Sequence, residues 1–321
     1  MESFQDKLKT GLTSGMNKGW SGFIWMLKIL IPISFFTVLL DYSGWINRIY
    51  FLLEPAMNLL NLPPMAALPL IVGMLTGIYG GIAAMIMLPF STEQMTLMAI
   101  FLLISHNLIQ EGIIQGKSGM NPIKATVFRL TASVVTVIIV AQFFHPEPAA
   151  STGAGASFSN AKPLIIMLKT WGIETAYLSV KIFVIILSLM MLLGIMKSFN
   201  LIQRIVSALN PLLRIFGLDR SVGILWLTAS VFGLAYGAAV IVEEVKEGHL
   251  TNEELTKLHL SIGINHSLVE DPSLFLSLGI SPFWLWIPRI ITAILAVHLM
   301  GLWQRIKPRK KSFELIQESV K

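Results

Sequence analysis

Residues Ser105-His106-Asn107-Leu108-Ile109-Gln110-Glu111 and Asn265-His266-Ser267-Leu268-Val269-Glu270-Asp271 are two versions of one polar stretch in an otherwise apolar chain. At an offset of 160, His106 falls on His266, Leu108 on Leu268, Glu93 on Glu253, Pro122 on Pro282 and Arg129 on Arg289. Upstream the offset is 156, with Pro55 on Pro211, Leu62 on Leu218, Gly77 on Gly233 and Gly81 on Gly237. The matched leucines carry almost no weight. Two histidines and two arginines at one offset are hard to obtain by chance when only 13% of residues are charged. The chain is an internal duplication.

Composition sets the solvent. Of 321 residues, 54% are hydrophobic, and the mean hydropathy is +0.71. A soluble domain carries roughly 25% charged residues, so the chain reads as an all-α integral membrane protein. The net charge of +6 is not a nucleic-acid signal: Arg305, Lys307, Arg309, Lys310 and Lys311 cluster after the last apolar segment, where basic residues anchor a cytoplasmic tail. The absence of cysteine excludes thiol catalysis and Cys-ligated metal centres. No cleavage motif follows the apolar run ending near Leu40, so the first span is expected to stay uncleaved.

A bilayer core of about 30 Å needs roughly 20 apolar residues in a helix. Segments 23–40, 64–90, 125–144, 177–196, 221–242 and 282–303 qualify as spans; 94–108 and 255–269 are short and end in polar residues. These two are expected to stop or turn within the membrane as broken or re-entrant helices. Each half then crosses three times, which makes the repeats inverted. The Lys/Arg pattern agrees: 41–63 holds only Arg48, whereas its mate 197–220 holds Lys197, Arg204, Arg214 and Arg220. Segments 45–62 and 199–218 read as interfacial amphipathic helices, with Ile202, Ile205, Val206, Leu209, Leu213 and Phe216 on one face of the second. The expected organisation is a first repeat with a cytoplasmic N-terminal segment (1–144), a Pro/Gly/Ala/Ser-rich linker (145–162), a second repeat (163–304) and a basic cytoplasmic tail (305–321).

On a continuous helix, His106, Asn107, Gln110 and Glu111 fall within roughly a 140° arc, as do His266, Ser267, Glu270 and Asp271. Polar groups in lipid face a bundle interior or a water-filled cavity. The carbonyls at a broken helix end, together with carboxylates, can hold a cation. The competing reading, that such residues mark where a helix leaves the membrane, is weakened by their occurring twice at equivalent places. Arg129 and Arg289 lie 18 residues after Glu111 and Asp271; each is expected either to pair with the acid of its own repeat or to snorkel to the headgroups. Gly73, Gly77, Gly80 and Gly81, with Gly223, Gly233 and Gly237, have spacings that favour close helix packing, with a close approach of backbone to substrate as the alternative.

The paired stretches, each followed by a proline and an Arg-bearing span, resemble the nucleoside recognition, or gate, domain. That family is similar to parts of concentrative nucleoside transporters, to the membrane portion of ferrous-iron permeases and to spore maturation membrane proteins. The resemblance covers about residues 25–303. It implies a membrane protein, and its label implies nucleosides, although nothing in these residues shows a base- or ribose-binding pocket. The chain departs from the iron permeases in having no cysteine and no G-x-x-x-x-G-K-[ST] motif.

The function expected from these readings is a secondary transporter or permease for a small polar solute, with nucleoside-like solutes included and H+ or Na+ as coupling ion. The eight polar residues line its site, Arg129 and Arg289 support it, and no catalytic residue, cofactor or metal site is assigned. A non-transporting scaffold of the spore-maturation type and a divalent-metal permease are the alternatives. An enzyme is not expected, since HExxH, GxSxG and paired-aspartate motifs are lacking. The expected setting is the inner (plasma) membrane with both termini cytoplasmic, the bilayer and the solute as partners, no nucleic acid, and room for a homo-oligomer.

Overall fold

A computed structural model describes residues 3–44, 53–144, 163–199, 201, 213–234, 237, 241–242, 244–245 and 250–306. The expected linker at 145–162, Arg48, Arg204, most of the amphipathic face around Ile202–Leu209 and the tail beyond Ile306 lie outside these residues.

Among the described residues every regular element is helical. The first half comprises α1 (Phe4–Ser43), α2 (Leu53–Leu59), a 3-10 turn (Pro64–Ala66), α3 (Ala67–Thr76), α4 (Ile78–Met85), α5 (Thr92–Ser105), α6 (Leu108–Lys117) and α7 (Pro122–Ala141). The second comprises α8 (Leu164–Ser198), a 3-10 turn (Arg220–Val222), α9 (Gly223–Phe232), α10 (Asn252–Asn265), α11 (Glu270–Leu276) and α12 (Pro282–Ile306). Five helices are long and apolar enough to cross a membrane: Phe4–Leu40, Thr92–Lys117, Pro122–Ala141, Leu164–Ser198 and Pro282–Ile306.

The starts of matched helices use matched chemistry. Ser91 caps α5 and Thr251 caps α10, each through a reciprocal capping box with Gln94 or Glu254. Pro122 opens α7 behind the Asn121 cap, and Pro282 opens α12 at the equivalent position.

Two expected spans are not spans. Segment 64–90 breaks at Gly77, whose φ of 97° and ψ of −177° suit only glycine. There α3 turns back into α4 and the two arms pack as a hairpin: a Cβ on Gly73 would lie 3.2 Å from the Gly81 Cα. Segment 221–242 repeats the break at Gly233 (φ 86°, ψ 165°), and a Cβ on Gly237 would press on the Ala229 backbone. An apolar run long enough to cross therefore folds back, because glycines permit both the turn and the close approach. Conversely, α5 and α6 together make a run of 26 residues that qualifies as a span despite its break. Gly81→Val is expected to lower stability by about 1–3 kcal/mol through overpacking against Gly73 and Leu102. A thermal melt of the detergent-solubilised protein reads this, and an unchanged midpoint would contradict the hairpin.

Helix α1 packs along α8 for most of its length. Phe4 meets Phe199, Phe23 meets Phe183, and Phe35 meets Trp171, so the two run antiparallel. With 40 residues, α1 is about 60 Å long, twice the apolar thickness of a bilayer. Its polar start is therefore helix, with Gly11, Gly15 and Gly19 against α8. Helices α7 and α12 also run antiparallel, from the Thr136–Thr292 hydrogen bond (2.8 Å) to Phe143 and Phe144 against Trp284.

Candidate functional site

The site is built where two helices stop. Helix α5 ends at Ser105, His106 is extended, and Asn107 is left-handed (φ 49°) before α6 begins. Helix α10 ends at Asn265, His266 is extended, and Ser267 is left-handed (φ 49°) before the chain reaches α11. These residues therefore do not share the face of one continuous helix. They converge because both helices are interrupted at the same place.

A helix end leaves its last carbonyls without intrahelical donors. Here a buried arginine from the following helix supplies them. Arg129 Nε donates to the Ile104 carbonyl (2.8 Å) and Nη2 to that of His106 (2.9 Å). Arg289 repeats this with Nε and Nη2 on Ile264 (3.1 and 2.8 Å) and Nη2 on His266 (2.9 Å). Both arginines are at most 1% exposed. The breaks also dock on the hairpins: Asn107 N donates to the Gly73 carbonyl (3.0 Å) and Ser267 N to that of Ala229 (3.3 Å).

The histidines meet across the two halves. Nδ1 of His106 lies 2.9 Å from the Leu102 carbonyl and Nδ1 of His266 lies 3.0 Å from that of Ile262. A carbonyl only accepts, so each Nδ1 carries a proton and each Nε2 faces the centre. The two Nε2 atoms are 3.4 Å apart, with ring centroids at 4.9 Å. Equivalent residues of the two halves thus touch each other directly at this point.

Around the histidines stand the acids. Glu111 pairs with Arg129 of its own half, and its oxygens lie 3.2 Å from Nε2 of both His106 and His266. Asp271 Oδ2 lies 3.5 Å from His106 Nε2. Each carboxylate thus reaches the histidine of the other half. The expected Asp271–Arg289 pair is absent among the described residues: Arg289 spends its Nε and Nη2 on carbonyls, while Asp271 turns to His106. The duplication is chemically asymmetric here, because aspartate is one methylene shorter than glutamate.

A cavity of about 260 Å³ opens on this centre. Its wall includes His106, Asn107, Gln110, Glu111, Ser267, Glu270 and Asp271; His266 lies beneath it, 1% exposed. Asn107 Nδ2 donates to Gln110 Oε1 (3.0 Å). Gly77 and Gly233 line the cavity as well, a role that spacing alone assigned to packing. Tyr79 escaped the sequence reading. Its hydroxyl donates to Glu270 Oε1 (3.0 Å) across the two halves, but its counterpart at the same offset is Ala235, so no repeat singled it out. Tyr79→Phe is expected to cost about 1.5–3 kcal/mol, the range for a hydrogen bond to a charged group. A melt in which Tyr79→Phe loses nothing, while Glu270→Gln does, would remove Tyr79 from the site.

Residues 23–144 match the family model described as Gate, nucleoside recognition. Over 309 residues the chain is 26% identical to the uncharacterized membrane protein YvoD of Bacillus subtilis (strain 168), covering 95% of this chain and 98% of that protein. No solved structure matches. Residues 23–144 are thus similar to the nucleoside recognition (Gate) domain, the family that the paired motifs resemble, and the chain is a multi-pass membrane protein.

Proposed function

We propose that this protein is a secondary transporter or permease whose site lies between two inverted repeats. The observation that carries the reading is the cavity at the double helix break, walled by polar side chains from both halves. Interrupted helices that present polar groups to a shared centre are a transporter device, and here side chains supply those groups while the arginines occupy the carbonyls. Inversion is supported by two antiparallel pairs of matched helices, α1 with α8 and α7 with α12. In this reading each half crosses three times, through its first helix, its broken helix and its last helix, while the glycine-broken hairpin enters and returns. The odd count is the one expected from sequence, with different segments crossing. An odd count in each half leaves both termini on one side of the plasma membrane, and the basic residues after the last span support the cytoplasmic side.

Cavity size favours a small solute or ion. Sites for drug-sized ligands span about 300–1,000 Å³, so a nucleoside would need the walls to move. A scaffold has no use for buried carboxylates around a cavity, since apolar packing there is as stable or more so. The coupling ion in this reading is H+ or Na+, with Glu111 and Asp271 as the groups that could carry it. Glu111→Gln and Asp271→Asn test the proposal in proteoliposomes. Uptake is expected to fall at least about tenfold, equivalent to about 1.4 kcal/mol, in variants that retain the native elution profile. Full activity in both would make these residues boundary markers.

A further inference from the structure

The meeting point of the two histidines presents a problem of lone pairs. Both histidines give their Nδ1 protons to backbone carbonyls, so two imidazole nitrogens face each other at 3.4 Å with no hydrogen between them unless a ring is charged. Carboxylate oxygens stand 3.2 to 3.5 Å from the same nitrogens. Arg129 answers the charge of Glu111, but among the described residues no guanidinium pairs with the point where the two imidazole nitrogens and the Asp271 oxygen converge.

We propose that His106, His266 and Asp271 bind a divalent transition-metal ion through Nε2, Nε2 and a carboxylate oxygen, with the remaining coordination left to the solute side of the cavity. The geometry fits. The donor atoms of His106, His266 and Asp271 all lie within 4.8 Å of one another, and all three residues are buried. Metal–nitrogen distances of about 2.0–2.1 Å in a tetrahedron set ligand separations near 3.3 Å. From His106 Nε2 the separations are 3.4 Å to His266 Nε2 and 3.5 Å to Asp271 Oδ2, close to that value, and the three donor atoms together stay within 4.8 Å. The outer shell is in place too, since a metal-bound histidine normally donates its other N–H to a carbonyl or carboxylate, as Nδ1 of both rings does here. Charge agrees: of the carboxyl groups of Glu111, Glu270 and Asp271, only that of Glu111 is paired with a guanidinium, Arg129, among the described residues.

The ligand set selects the class of ion. Two imidazoles with carboxylates suit zinc, cobalt, nickel, manganese or ferrous iron, whereas magnesium and calcium prefer oxygen-only shells and cuprous copper prefers sulfur. Because the ligands come from both halves, the ion ties α5 and α6 to α10 and α11. The inference deepens the proposed function by naming the ligand class of the same site; binding itself stands on the donor geometry, and only passage of the ion across the membrane rests on the permease reading.

The test uses the full-length protein in detergent, stripped with a chelator. Cobalt(II) is titrated and read by its visible absorption. One equivalent is expected to produce the strong bands of a low-coordinate nitrogen/oxygen site, and zinc is expected to displace it while magnesium is not. Asp271→Asn and the double variant His106→Gln/His266→Gln are expected to weaken binding at least tenfold and to abolish it, respectively. Asp271 makes no backbone hydrogen bond among the described residues, so Asp271→Asn is the variant most suited to keep the fold if the histidine pair does not. Absence of the cobalt bands, with no zinc-induced rise in melting temperature, would overturn the site. Unchanged affinity in folded Asp271→Asn would overturn the proposed ligand set, since Asp271 would then not hold the ion. Zinc or cobalt uptake into proteoliposomes separates this from the permease reading. Binding without flux refutes transport of the ion and leaves the site; flux of another solute without metal binding refutes the site and leaves the permease.

Discussion

Replacing Arg129 with methionine is expected to destabilise the protein by about 3–5 kcal/mol, the range for removing one partner of a buried ion pair. The loss has two parts. Glu111 would keep a buried charge without its guanidinium, and the carbonyls of Ile104 and His106 would lose their donors. Arg289→Met removes three hydrogen bonds to carbonyls but no ion pair among the described residues, so its effect is expected to be smaller. Equilibrium unfolding in mixed detergent measures both. Adding Glu111→Gln to Arg129→Met is expected to recover part of the loss, because the orphaned charge is gone. If Arg129→Met melts like the native protein, other donors serve the broken helix and this account of the break is wrong.

The second large effect is expected at the hairpin turns. Gly77 and Gly233 adopt backbone conformations essentially restricted to glycine, and a non-glycine residue there costs about 1–3 kcal/mol. A Cβ on Gly77 would sit 3.8 Å from the Asn107 Cβ, which is ordinary contact. The cost of Gly77→Ala is therefore conformational, and the added methyl also projects towards the cavity wall. Gly77→Ala with Gly233→Ala is expected to lower both the melting temperature and solute flux. Gly172→Ala, where a Cβ would meet nothing within 4 Å, is the control and is expected to change neither. Equal behaviour of the double variant and the control would show that the turns tolerate a side chain.

The sequence was legible wherever the two copies agree. His106 and His266, Arg129 and Arg289, and Pro122 and Pro282 fall at one offset, and they occupy equivalent places in the fold: helix ends, carbonyl donors and helix starts. The capping signals Ser91–Gln94 and Thr251–Glu254 are equally readable, beside the matching Glu93 and Glu253 in the same first turns. Hydropathy could not show that 64–90 folds back, because the window measures apolarity and the turn depends on one glycine. The helical-face argument for His106 to Glu111 assumed unbroken periodicity and failed at Asn107. Tyr79 and the missing Asp271–Arg289 pair were out of reach for a related reason. Both are places where the two copies diverge, so the internal comparison that exposed the rest was blind to them.

The central claim is that a solvent-reachable polar site lies between the halves and opens to either side of the membrane. The chain has no cysteine, so single cysteines can be introduced directly. Asn107→Cys and Ser267→Cys place a thiol on opposite walls of the cavity. In oriented proteoliposomes, a membrane-impermeant maleimide applied from one face and then from the other is expected to label both positions, at rates that change when the transported solute or ion is added. A folded protein in which neither position is labelled from either face would contradict the account, since its centre would then be packed shut as a scaffold requires.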